Sequence, residues 1–234
     1  MEARIFRERA RSALAGTWGV SIGIAALAAL LGGLIVGSSF LPSISYTFPI
    51  EFPLLERISA ELKEGLKLGS FTLSIKSGVF GLAAFLLGGT LELGYARFLL
   101  KQHDGKNTEF NDLFSQFHRY CTGFAQHFLR GLYVALWGIL LVIPGIMKSY
   151  SYAMTPFILA EHPDLTATQA IEWSEELMEG HKMDLFILDL TFIGWDIMAG
   201  MLWNLGHLVL NPYKNAAHAA FYRQLLEERR RLYN

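Results

Sequence analysis

Cysteine is almost absent from this chain. Cys121 is the sole one among 234 residues, which excludes an internal disulfide. Beside an apolar segment it reads as a small packing residue rather than a reactive thiol. Charge is scarce as well: Asp, Glu, Lys and Arg make 18% of the chain, against about 25% in an ordinary soluble domain. Neither sign prevails, the net charge being −1, so nothing points to a nucleic-acid partner. Catalytic signatures are missing too. There is no HExxH, no cysteine cluster, no GxSxG, no P-loop and no dinucleotide-binding glycine pattern. The seven histidines stand at no metal-ligand spacing. Ser149, Tyr150, Ser151 and Tyr152 have no base placed beside them and read as packing and interfacial residues. The sequence therefore assigns no cofactor, no metal and no catalytic group.

What the chain has in quantity is hydrophobic residues, 52% of the total, with aromatics at 13%. They gather into runs at 13–40, 78–100, 124–160 and 185–210. A membrane-crossing helix needs about 20 consecutive apolar residues. The expected fold class is an all-α integral membrane protein, a single domain over 1–234, built as a bundle of about four transmembrane helices. The 13–40 run is longer than the apolar core of a secretory leader, so it is expected to stay as a span. Gly19 with Gly23, and Gly33 with Gly37, form GxxxG pairs. These either admit a closely packed helix or reflect the abundance of glycine in membrane helices.

The third run holds Pro144, Gly145, Lys148 and Pro156. Proline lacks an amide hydrogen and clashes with the preceding turn, and glycine adds backbone freedom. This region is expected to be one long kinked helix or two shorter helices meeting at Pro144-Gly145. In the second case the crossings number five or six. Amphipathic interfacial helices are expected at 1–12, 53–68, 108–120, 166–180 and 213–231. Thr108 is the expected N-cap of the third of these. Thr166 with Gln169 fits a capping box, and Gly180 fits a helix stop. FTLSIK alternates weakly and is too short by itself to define a strand. Lys and Arg concentrate at the N-terminus, in the 97–130 connection and after residue 210. With four crossings this places both termini in the cytoplasm.

From Glu92 onward, the segments LELGYARFLL, FNDLFSQF, IPGIMKSYSYAMTPFILAEHPDLTATQAIEWSEELMEGHKMDLFILDLTFIGW and NPYKNAAHAAFY resemble the bacterial membrane family catalogued as domain of unknown function 975. The opening RERARSALAGTWG resembles it too, and the likeness weakens over 38–76. The central pattern is distantly similar to the membrane module fused to some glycerophosphodiester phosphodiesterases. That module is not the catalytic part, so the likeness implies no phosphodiesterase activity. What the resemblance implies is a bacterial cytoplasmic-membrane protein with no catalytic residues to carry over.

Ionisable groups inside apolar runs are the remaining leads, because each costs about 2.5–3.5 kcal/mol at a span's centre. Asp189 and Asp196 are seven residues apart, on one helical face. Glu92 lies in the second run, and Lys148, just after the break, could pair with one of these acids. Together they either line a ligand or ion cavity or form an internal ion pair that orients the helices. Glu172, Glu175, Glu176 and Glu179 make an acidic face, either solvated or partner-binding. The expected function is a non-enzymatic membrane bundle that binds a partner protein or lipid. The alternative is a small transporter or channel using the buried acids and the broken helix. A lipid-acting enzyme ranks last.

Overall fold

The computed structural model of the chain describes residues 3–24, 43–49, 70–76, 79–201 and 206–233. The helix expected at 53–68, the Gly33–Gly37 pair and residues 25–40 of the first expected span lie outside them. Helix α1 (Ala3–Leu14) buries Phe6, Ala10 and Leu14, four residues apart, and turns Arg4 and Arg11 outward. A chain reversal follows, with Gly16 at φ +87°, a backbone state that glycine reaches without steric penalty. Residues 18–24 are helical again. Strands β1 (Ser43–Pro49) and β2 (Ser70–Lys76) pair antiparallel, Ser43 opposite Lys76 and Pro49 opposite Ser70. FTLSIK is therefore a strand, because SISYTFP supplies the hydrogen-bonding partner that local alternation could not reveal.

The rest is helical. Helix α2 (Val79–His103) runs through the middle. Around it come α3 (Asn111–Phe114), a 3-10 turn at Phe117–Arg119, α4 (Tyr120–Leu140), α5 (Val142–Ser151), α6 (Thr155–Glu161), α7 (Ala167–Leu177), α8 (Lys182–Met201) and α9 (His207–Tyr233). Helices α1, α4, α6 and α9 all pack on α2. The core joins Leu91 and Phe98 of α2 to Phe6, Ile158, Phe192 and Phe221 of its neighbours. Thr166 and Gln169 form the capping box of α7, and Gly180 takes φ +81° just beyond it. Ser174 of α7 donates to the Ser151 carbonyl (2.8 Å) and accepts from the Met154 amide (3.2 Å). It thereby satisfies the backbone where α5 gives way to α6.

Helix α4 reaches α2 through glycine. A Cβ on Gly89 would lie 2.0 Å from the Gly123 carbonyl oxygen, and one on Gly123 would lie 2.9 Å from the Thr90 Cα. The backbones therefore touch where any larger residue would hold them apart. Of the expected pair Gly19–Gly23, Gly19 meets nothing within 4 Å among the described residues and Gly23 faces the Phe110 ring.

The third apolar run is neither a single kinked helix nor broken at Pro144-Gly145. The helix stops at Leu141, whose backbone is extended (φ −155°, ψ 131°), and α5 folds back along α4. Pro144 falls in the first turn of α5, where amides lack an intrahelical partner anyway. Pro156 falls in the first turn of α6 for the same reason. Both prolines start helices. Gly145 lies against Gly138 at a Cβ distance of 2.7 Å, closing the hairpin. The last apolar run is not one straight segment either. Helix α8 runs to Met201, and α9 packs back beside it, where a Cβ on Gly206 would lie 2.6 Å from the Ala199 Cα. The expected 213–231 helix is the distal part of α9, which continues through Pro212. The 108–120 segment is split into α3 and the 3-10 turn. There Asp112, not Thr108, binds the Glu109 amide (3.0 Å) and also pairs with Lys101. Among the described residues, no helix is long and apolar enough to cross a membrane.

Gly89→Ala should therefore push α4 off α2 and lower the thermal midpoint of the purified protein, an overpacking cost of about 1–3 kcal/mol. Gly131→Ala on α4, with nothing within 4 Å among the described residues, should leave the midpoint unchanged or raise it, a gain in stability of up to about 1 kcal/mol. Equal responses from the two variants would contradict the packing.

Candidate functional site

Where α2, α4, α6 and α9 meet, they enclose a cavity of about 250 Å³. Glu92 projects into it from α2, and three side chains from successive turns of α4 converge on its carboxylate. Arg130 donates to Oε1 at 2.6 Å, Gln126 donates to Oε2 at 3.2 Å, and the His127 Nδ1 lies 3.1 Å from Oε2. The spacing explains the cluster. Residues 126, 127 and 130 share one face of α4, and the glycine contact at 89 and 123 brings that face within reach of α2. His218 of α9 enters from the opposite wall. Its Nε2 is 2.7 Å from Asp189 Oδ1 on α8, and Tyr150 of α5 hydrogen-bonds the same carboxylate. Tyr95 and Asn215 complete the polar lining, opposite Pro156 and Phe157.

The four residues singled out from the sequence do not form one cluster. Glu92 lines the cavity directly, and Asp189 reaches it through His218. Asp196 is held elsewhere by Lys214 (3.1 Å) and His207 (3.7 Å) of α9. Lys148 pairs with none of these acids. Its ammonium binds Glu175 of α7 and lies over the Trp137 and Tyr152 rings, 5.5 and 5.7 Å from their centroids. That removes Glu175 from the acidic face, and Glu176 is bound by Arg229 at 2.7 Å. Glu172 and Glu179 remain exposed on it. The partners His127, Arg130, Lys214 and His218 were missed because they belong to other helices. A signal existed: Gln126, His127 and Arg130 interrupt the apolar run of α4 as conspicuously as Glu92 interrupts that of α2.

Chemically, the cavity offers two imidazoles, a guanidinium and a carboxylate as hydrogen-bond donors and acceptors. Among the described residues no group of three His, Cys, Asp or Glu side chains could hold a metal ion.

A second ionic node ties the helices together at the edge of the bundle. Arg223 of α9 donates to Glu161 Oε1 and to Asp104 Oδ2, both at 2.7 Å, and the Tyr222 hydroxyl donates to Glu161 Oε2 at 3.0 Å. Burial raises the Glu161 pKa. The hydrogen bond and charge of Arg223 and the Tyr222 bond outweigh it and leave the carboxyl below its ordinary 4.5. A depressed folded-state pKa gives stability that is complete above the unfolded value and lost as pH falls through the folded one. Glu161→Gln should lower stability at pH 7 by about 1–3 kcal/mol. It should also flatten the decline below pH 4.5, measured by thermal unfolding across pH. An acid-side slope identical to that of the parent chain would exclude Glu161 as its source.

The Glu92 cluster gives a parallel expectation. Glu92→Gln leaves Arg130 facing a partly buried site without its counter-charge, and should destabilise by up to about 3–5 kcal/mol. Adding Arg130→Gln should recover part of that loss in a double-mutant cycle. Purely additive losses would mean that the two side chains do not interact.

No curated protein and no solved structure matches the chain. The likeness to the glycerophosphodiester phosphodiesterase module is not supported by any match. The resemblance to domain of unknown function 975 is supported from the last turn of α4 to near the end of α9, leaving Glu92 outside the matched stretch: residues 138–229 match the family described as protein of unknown function (DUF975).

Proposed function

We propose that the protein is a non-enzymatic, membrane-embedded helical bundle of the bacterial cytoplasmic membrane that binds lipid through its apolar hairpins. One observation carries the reading. At the tip of the α4–α5 hairpin five consecutive large apolar residues, Ile139 to Ile143, are between 61% and 78% exposed. Leu190, Trp195, Ile197 and Met198 of α8 extend the exposed apolar surface. Contiguous patches of this kind mark a membrane or protein contact. Removing each such side chain from water is worth roughly 1.5–3 kcal/mol, so the five together rival the ~5–15 kcal/mol that holds a domain folded.

The reversals at Leu141 and after Met201 support hairpins that dip into the bilayer rather than four straight crossings. α1 and α9 pack together, with Phe6 and Phe221 in ring contact at 5.1 Å and Arg9 bonded to Gln224 at 3.4 Å. Their arginines therefore belong to one body, which supports placing both termini on the cytoplasmic side. Lipid is favoured over a protein partner because two of the four glutamates of the α7 face are committed within the chain.

In bacterial cells the protein should stay with membranes through an alkaline carbonate wash and leave them only in detergent. Ile139→Asp with Ile143→Asp should move a measurable share into the wash, since an aspartate at depth costs about 2.5–3.5 kcal/mol. Recovery of the parent chain in the wash without detergent would sink the proposal. The transport alternative is favoured by the cavity between Glu92 and His218. It predicts solute or proton flux in proteoliposomes that Glu92→Gln abolishes; no flux from the parent chain disposes of it.

A further inference from the structure

Away from the polar cavity, a groove of about 550 Å³ lies between α1 and the α8–α9 hairpin. Its floor is apolar. Trp195, Met198 and Val209 line it and are 56%, 59% and 47% exposed. Its rim is basic. Arg4, Arg7 and Arg11 follow one another at three- and four-residue spacing along α1, which puts them on one face. The adjoining face of α1 is locked down: Phe6 packs on Phe221, and the Tyr213 hydroxyl donates to the Arg7 carbonyl at 3.2 Å. The arginines are thus carried on a fixed helix beside the groove. Arg4 is engaged by Glu8 at 2.9 Å in a solvent-exposed pair. Arg7 and Arg11 have no ion-pair partner among the described residues.

We propose that this groove binds a phospholipid with an anionic headgroup, its phosphate against Arg7 and Arg11 and an acyl chain along Trp195, Met198 and Val209. Two features select this ligand. A guanidinium fork matches phosphate oxygens in a bidentate geometry, and two arginines without an ion-pair partner among the described residues, beside a third, favour a net negative charge. A zwitterionic headgroup would bring its own cation against that rim. The apolar floor excludes a free anion as the fitting occupant, because an ion alone would leave the floor in water. Aromatic side chains at headgroup depth are also what an interfacial site presents. The inference rests on the membrane reading for the source of the ligand, and its readout is separate from membrane retention.

The test is native mass spectrometry of the full chain in detergent, with phosphatidylglycerol and phosphatidylcholine of identical acyl chains as probes. The parent chain should retain phosphatidylglycerol in preference. Each basic residue near a membrane surface contributes about fivefold in affinity for anionic lipid. Arg7→Gln with Arg11→Gln should therefore cut the preference by an order of magnitude or more. Glu8→Gln removes the rim's acid and frees Arg4, so it should raise the preference, a response that damage to the fold would not produce. Trp195→Ala should weaken retention of both lipids and leave their ratio unchanged. Equal retention of both lipids by the parent chain overturns the proposal. So does full displacement of phosphatidylglycerol by glycerol 3-phosphate at equal concentration, since that would make the groove a site for free anions. Either result leaves the carbonate-wash outcome, and with it the membrane reading, untouched.

Discussion

The bundle depends on the seating of α4 against α2, and that seating has two parts that need each other. Gly89 and Gly123 let the two backbones touch. Glu92, one turn along, then receives Gln126, His127 and Arg130. Without the glycines the carboxylate would stand too far from its partners. Without the carboxylate, Arg130 would be an unpaired charge in a largely apolar setting, which is strongly destabilising. The α4–α5 hairpin is carried on the same contact, so the position of the exposed apolar tip follows from it.

The remaining ionic groups of the apolar segments follow the same rule. Asp189 meets His218, Asp196 meets Lys214, and Lys148 meets Glu175, each pair joining two different helices. A charge in an apolar helix is tolerated when a neighbouring helix supplies an opposite charge or a hydrogen-bonding partner. These pairs set which helices lie side by side. They also leave the cavity at Glu92 and His218 lined by groups that already answer one another. By contrast, Arg7 and Arg11 on α1 have no such answer among the described residues, and they stand beside exposed apolar surface. The two places thus differ in kind: one is lined by groups paired within the chain, and the other carries arginines without an ion-pair partner among the described residues.

Both hairpins are closed by small residues near their turns, Gly138 with Gly145 and Ala199 with Gly206. Around the α4–α5 turn the large apolar side chains of Ile139 to Ile143 point outward.

Local sequence determined much of this. The capping box at Thr166 and Gln169, the apolar faces of α1 and α7, the helical runs around 79–103 and 182–201, and the unusual acids at 92, 189 and 196 all follow from spacing within a few residues. Sequence also marked 144 and 145 as special but misread the sense: a proline is as compatible with the first turn of a helix as it is disruptive to the middle, and only the extended Leu141 decides which applies. The pairing of β1 with β2, the partners of each buried acid, and the capture of Glu175 and Glu176 were decided by tertiary structure alone. Each joins residues distant in the chain, 18 positions apart for Asp196 with Lys214 and 53 for Glu176 with Arg229. Periodicity carries the orientation of a side chain about its own helix. It holds nothing about which other helix that face will meet.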